Sequence, residues 1–343
     1  MVSDDSHRNF LYIHTMQFRT SYCPERSNLT LTPYRPLAML GSCFADNIAA
    51  RMRRCLWDAR NPLGTLYNPL SIARALDTVL LSETPEDDFA STLMQADGVW
   101  HSWLFDTAFS ARDNHSGTVT LMERRHWLDL ALSQSQVMFV TFGTAWCYFL
   151  SDRPDYLVAN CHKQPSAMFE RRRLDPGDIT DVWHDLIRRL RQRYPGLKLV
   201  FTVSPVRHLK DGFAGNSLSK SILRLAVAQL CEDMEECDYF PAFEIVNDDL
   251  RDYRFYDTDM VHPSPQAVEY LWDMLCSTYI EPEGIAALTE GGKITAAYAH
   301  RPLLPLRSDE DRAMEQARLR KVARRYELFR ERYPNVLPPD ISR

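Results

Sequence analysis

Three short apolar runs, each closed by a turn former, constrain this chain most. Pro36-Leu37-Ala38-Met39-Leu40 ends at Gly41, Gln136-Val137-Met138-Phe139-Val140-Thr141-Phe142 ends at Gly143, and Leu197-Lys198-Leu199-Val200-Phe201-Thr202-Val203 ends at Ser204-Pro205. Runs of this length with almost no polar alternation read as strands buried on both faces. Segments of helical period lie between and after them: 44–56, with Phe44, Ile48, Met52 and Cys55 on one face, then 70–82, 122–134, 178–193, 217–236 and 265–279. Residues 91–106 read as a Trp- and His-rich hairpin or loop. Tyr239 to Val246 reads as a further strand, interrupted by Pro241. Helices alternating with buried strands predict an α/β fold whose parallel sheet is covered on both faces. Ligands of such sheets sit outside the carboxyl ends of the strands, where residues 41–43, 143–146 and 204–208 fall.

The ends of the chain differ from this body. Residues 1–34 read as an irregular N-terminal arm. Residues 308–333 are charge-dense around Met314, Leu319, Val322, Tyr326 and Phe329 and predict one long amphipathic helix, either packed on the body or serving as a homodimer element. The expected division is an arm over 1–34, a main domain over 35–285 and a C-terminal helical extension over 286–343. The net charge of −6 gives no reason to expect a nucleic-acid partner, and the short run Arg171-Arg172-Arg173 reads as a solvated face. The cysteines Cys23, Cys43, Cys55, Cys147, Cys161, Cys231, Cys237 and Cys276 form no CxxC pair. They predict neither a metal site nor a disulfide scaffold, and they suit a reducing compartment. No apolar run of signal-peptide or membrane-spanning length is present, so the expected location is cytoplasmic, with no membrane partner. No phosphate-binding glycine loop is present, and no cofactor is expected.

Two segments carry chemistry. Gly41-Ser42-Cys43-Phe44-Ala45 lies at a strand-to-helix turn, where free backbone N–H groups and the positive end of the helix dipole can stabilise a thiolate or an oxyanion. Ser42 and Cys43 are both candidate nucleophiles. The plain alternatives are an N-cap for Ser42 and a small buried hydrophobe for Cys43. Near the other end, Tyr256-Asp257-Thr258-Asp259-Met260-Val261-His262-Pro263-Ser264 is turn-like and precedes a helix. In a tight turn Asp259 can accept from one nitrogen of His262 while the other nitrogen serves a nucleophile. Arg207 and His208 follow a strand end, and Arg207 is a candidate for binding an anionic substrate group. His101, with Trp100 and Trp103, is a candidate pocket wall or a piece of core.

Leu40 to Ala45 resembles the signature of the GSCFA family. The likeness continues through Asn61-Pro62-Leu63-Gly64, Tyr67-Asn68-Pro69, Gly98-Val99-Trp100-His101-Ser102, Thr141 to Trp146, Asn160-Cys161-His162-Lys163-Gln164, Ser204 to His208 and Asp259 to His262, covering about residues 30–280. That family is grouped with the SGNH hydrolases. The resemblance therefore implies a three-layer, flavodoxin-like α/β/α fold for 35–285 and acyl-ester chemistry by an esterase or acyltransferase, on a small-molecule or glycan acyl substrate. SGNH enzymes open on Gly-Asp-Ser. With Gly41 in register, Cys43 takes the nucleophile's place, and a shift of one residue gives it to Ser42. The oxyanion-hole Asn of the Gly-x-Asn block falls on Ala145, which leaves Gly64, Asn160 and His162 as candidate donors. Arg207, His208, His101 and Trp146 are the substrate-binding candidates. The second reading is a catalytically inactive SGNH-like binding module, to which the missing Asn and the displaced nucleophile point.

Overall fold

In the computed structural model, which describes residues 20, 22–33, 35–301 and 308–339, the apolar runs become strands of one parallel sheet. The elements in chain order are β1 (Leu37–Gly41), α1 (Cys43–Arg54), β2 (Ala59–Arg60), α2 (Pro69–Leu76), α3 (Pro85–Ser91), β3 (Leu93–Ala96), β4 (Val99–Ser102) and α4 (Asn114–Ser135). They continue with β5 (Val137–Phe142), β6 (Trp146–Leu150), β7 (Arg153–Val158), β8 (Phe169–Arg173), α5 (Pro176–Arg193), β9 (Lys198–Val203), α6 (Gly212–Asp233) and β10 (Cys237–Tyr239). The last are α7 (Ala242–Glu244), α8 (Pro265–Tyr279), α9 (Pro282–Ala299) and α10 (Asp309–Arg332).

The central sheet runs β2-β1-β5-β9-β10, with every pairing parallel. Numbered along the sheet's own strands, this is the 2-1-3-4-5 order of the flavodoxin-like fold, whose topological switch point lies between its first and third strands. Here those strands are β1 and β5, in register from Ala38↔Met138 to Gly41↔Thr141. Side chains alternate across the sheet as strand geometry requires. Ala38, Leu40, Met138, Val140, Leu199 and Phe201 face one core with α2, α4, α5 and α6, where Trp183 packs edge-on against Phe142 and Phe201. Leu37, Met39, Val137, Phe139 and Val200 face a second core with α1 and α8. Two helical layers on one sheet give the three-layer α/β/α architecture that the apolar runs predicted.

Three segments depart from the expected pattern. The strand expected over 239–246 stops at Tyr239. Pro241 cannot continue a ladder, and Ala242, Ile245, Val246 and Asp249 are buried at i, i+3, i+4 and i+7, so α7 continues into a wider helical turn over Ile245–Leu250. Residues 146–173 form a separate antiparallel sheet, β7-β6-β8. The stretch after 281 holds the additional helix α9. The hairpin expected within 91–106 is β3–β4.

The N-terminal arm lies largely outside the described residues. Its described end buries Leu29 and Leu31 in the second core, and the Leu31 N–H bonds to the Tyr279 carbonyl at 2.8 Å. Part of the apolar stripe of α10 packs within the chain: Val322, Phe329 and, just past the helix, Tyr333 meet Leu56, Ala287 and Ile294, while Met314 and Leu319 are exposed. No helix among the described residues is long and apolar enough to cross a membrane.

Candidate active site

β1 delivers the chain to Gly41, which turns at φ +110°. A Cβ there would stand 2.1 Å from the Thr141 carbonyl oxygen of the neighbouring strand, so only glycine fits. Ser42 then caps α1. Its backbone is extended, its side chain is buried, and its Oγ accepts from the Phe44 N–H at 3.3 Å. Cys43, the first residue of the helix, is half-buried and lines a cavity of about 410 Å³. Of the two adjacent nucleophile candidates, Ser42 has its hydroxyl engaged as a cap, and Cys43 is the one that lines the cavity.

The loop before α8 brings His262 to the same cavity. Its geometry is built locally. Asp259 Oδ1 accepts from the N–H groups of Val261 (2.8 Å) and His262 (2.9 Å), and Oδ2 holds His262 Nδ1 at 2.6 Å. The Asp257 N–H bonds to the His262 carbonyl at 2.7 Å, and Met260 takes the left-handed conformation at φ +58° to close the turn. The Arg207 N–H reaches the Val261 carbonyl at 3.3 Å and ties this loop to the segment after β9. With Nδ1 committed to the carboxylate, Nε2 is the ring nitrogen left for chemistry.

The electrostatics set protonation states. Burial, with a smaller contribution from Asp46, pushes the Cys43 thiol above its ordinary range; the N–H groups of Cys43 and Phe44 and the charge on Lys220 pull the other way. Burial prevails, so Cys43 rests as a thiol and needs a base to react. The His262 N–H and imidazole, then the Val261 N–H, hold Asp259 down at about 2, so it is a carboxylate at any physiological pH. His208, also on the cavity wall, is driven down to about 4 by burial and by Lys220, and is neutral.

Beneath the strand ends lies Lys220 of α6, 1% exposed. Its Nζ donates to the carbonyls of Gly143 (2.6 Å) and Ser204 (2.7 Å), the residues that follow β5 and β9. Burial pushes its ammonium down to about 7, against the pull of Cys43. The preceding residue, Ser219, accepts the Ala145 N–H at 2.8 Å. One turn of α6 therefore fixes the segment in which the Gly-x-Asn block would lie.

Backbone donors in that segment are already used. The N–H groups of Gly143 and Thr144 both bond to the Tyr67 carbonyl, at 2.7 and 3.0 Å, and the Trp146 N–H bonds to Thr144 Oγ1 at 3.2 Å. Asn68 lines the cavity with its amide fixed: Oδ1 caps α2 by accepting the Ser71 N–H at 2.8 Å. Trp146, Arg207 and His208 also line the cavity. Gly64, Asn160, His162 and His101 are not among its lining residues. A Cβ on Gly64 would meet the Asp106 carboxylate at 2.4 Å, and the Gly64 N–H faces the Asn61 carbonyl at 3.4 Å. Asn160 Oδ1 accepts the His162 N–H, while His162 Nε2 meets the Ser102 carbonyl at 2.7 Å and its ring stacks on His101. His101, Asn160 and His162 pack around the end of β4, and Gly64 belongs to the 61–64 turn. Asn68 and Lys220 are the residues that sequence reasoning did not single out. The pre-proline position of Asn68 and the shared helical face of Lys220, Leu223 and Val227 were the available signals.

A family model described as the GSCFA family matches residues 36–275. The chain belongs to the GSCFA family. The match takes in β1 through most of α8, and with them both Cys43 and His262, while α9 and α10 lie beyond it. No curated protein and no solved structure matches this GSCFA chain.

Proposed function

We propose that this GSCFA protein is an SGNH hydrolase-like acyl-transfer enzyme, an esterase or acyltransferase, with Cys43 as nucleophile. The observation that carries the reading is that Cys43, at a helix N-terminus, and His262, oriented by Asp259, line one cavity at the carboxyl ends of the parallel strands. His262 Nε2 takes the thiol proton as the sulfur attacks the acyl carbonyl. The tetrahedral oxyanion collapses, the C–O bond breaks, and the leaving alkoxide takes the proton back from His262. A water or an acceptor hydroxyl, deprotonated by His262, then attacks the thioester carbonyl and returns the thiol. Asp259 fixes the tautomer and stabilises the imidazolium.

The oxyanion needs donors that are not spent elsewhere. The Cys43 N–H at the start of α1 and the Nδ2 end of Asn68 meet that need. This assignment replaces the donor missing at Ala145 and follows from the commitments of the 143–146 amides. All eight cysteines are unpaired, which fits an enzyme whose thiol works reduced, in the cytoplasm. The test is steady-state turnover of 4-nitrophenyl acetate. Cys43→Ala is expected to abolish it, and His262→Ala to lower it by about 10²–10⁴-fold. Undiminished turnover in Cys43→Ala would remove the nucleophile from the account.

A further inference from the structure

The cavity that Cys43 lines carries a cationic set of side chains in a chain whose net charge is −6. Arg171, Arg207 and Lys210 line it, against the single lining carboxylate Asp211. The Asp211 side chain is 1% exposed and paired with Arg171, which also stacks on Trp146 at 4.1 Å, so those two charges offset each other. Arg207 and Lys210 have no carboxylate partner among the described residues. Instead both are held by aromatic groups. The Arg207 guanidinium lies over the Tyr256 ring at 4.0 Å, and Lys210 Nζ donates to the Tyr148 hydroxyl at 2.9 Å.

An arginine stacked on an aromatic face keeps its N–H edge available for a bidentate oxyanion. The neighbouring His208 is neutral, so it adds no charge of its own. Two cations left uncompensated beside a nucleophile concentrate anions there.

We propose that the acyl substrate carries an oxyanion, a carboxylate or a phosphate, that Arg207 and Lys210 receive while its acyl carbonyl meets Cys43. This rests on the acyl-transfer reading for the words "acyl substrate" but not for the anion site itself. The experiment compares alkylation of Cys43 by iodoacetate, which is anionic, with alkylation by iodoacetamide, its neutral isostere. In both, the sulfur displaces iodide and forms an S–CH₂ bond, so the thiolate fraction cancels from the ratio of rates. N-acetylcysteine methyl ester supplies the intrinsic ratio.

At low salt the Cys43 ratio is expected to exceed the intrinsic one by about tenfold, the lower end of electrostatic focusing for partly exposed cations, and to fall as salt is added. Arg207→Gln is expected to bring it down towards the intrinsic value. Lys210→Gln, at an exposed position whose replacement does not threaten folding, is expected to lower it in part. Protection of Cys43 by succinate identifies the group as a carboxylate, and protection by inorganic phosphate identifies it as a phosphoryl group. A ratio equal to the intrinsic one, insensitive to salt and to both substitutions, would overturn the proposal. A raised ratio in a protein that turns over no ester would leave the anion site standing and remove the acyl reading.

Discussion

Lys220→Met replaces an ammonium that is almost fully buried and donates to two strand-end carbonyls, those of Gly143 and Ser204. Two costs oppose each other. Without the ammonium, each carbonyl loses its donor, at about 1–3 kcal/mol apiece. Against this, burial has moved the ammonium from its ordinary 10.5 to about 7, and holding it charged costs roughly 5 kcal/mol at 1.36 kcal/mol per unit. Near pH 6 the two terms are of similar size, so variant and wild type differ little.

Above pH 7 they separate. The native state gives up the Lys220 proton at about 7, whereas the unfolded chain keeps it to 10.5. Between those values the unfolded state holds more protons, so the Lys220 contribution to stability rises with pH. From pH 6 to 9 the wild type should gain about 2–3 kcal/mol on Lys220→Met. Urea unfolding of both proteins at intervals across that range isolates the effect, because the other titrating groups are common to both. A difference that stays flat, or falls, would refute the assignment of Lys220 as a buried, depressed lysine under the site.

Three further outcomes follow from the geometry around Cys43. Gly41→Ala is expected to destabilise the fold by about 3 kcal/mol or more, since it combines a left-handed φ with a backbone clash, and thermal melting reads this directly. Ser42→Ala should cost about 1 kcal/mol as a lost helix cap; Cys43 should still be acylated, and an acylation lost with Ser42 alone would return the nucleophile to the hydroxyl. The rate of Cys43 alkylation by iodoacetamide should rise with pH to a midpoint above that of an ordinary thiol, since burial raises it; a midpoint below neutrality would indicate a resting thiolate and remove the need for His262 as base.

Much of this arrangement was legible in the residues. The central strands are continuous apolar runs because helices cover both their faces, and that pattern survives without any tertiary knowledge. Gly41 and the Asp259–His262 spacing were legible because their geometry is local: a turn only glycine can make, and a carboxylate bonded three residues ahead. The cavity wall was not. Arg171 reads as one member of a solvated basic run, yet strand alternation in β8 turns it towards Trp146 and Asp211 while Arg172 pairs with Glu170. Lys220 shares a helical face with Leu223 and Val227, but the two carbonyls that make its burial possible come from distant strand ends and are not visible in the local pattern. The strand expected through Pro241 failed because a run of apolar residues fits both periods, and the proline tips the balance towards the helix. Gly64 and Asn160, read as candidate amide donors, lie outside the residues that line the cavity with Cys43 and His262, a placement that local spacing does not reveal.

The central claim is that Cys43 forms a covalent acyl intermediate with help from His262. Incubation with an activated acyl ester, acid quench, intact mass and peptide mapping measure it directly. One acyl group on Cys43, absent in Cys43→Ala and formed far more slowly in His262→Ala, is the predicted result. An unmodified Cys43 under turnover, or an acyl group on Ser42, would contradict it.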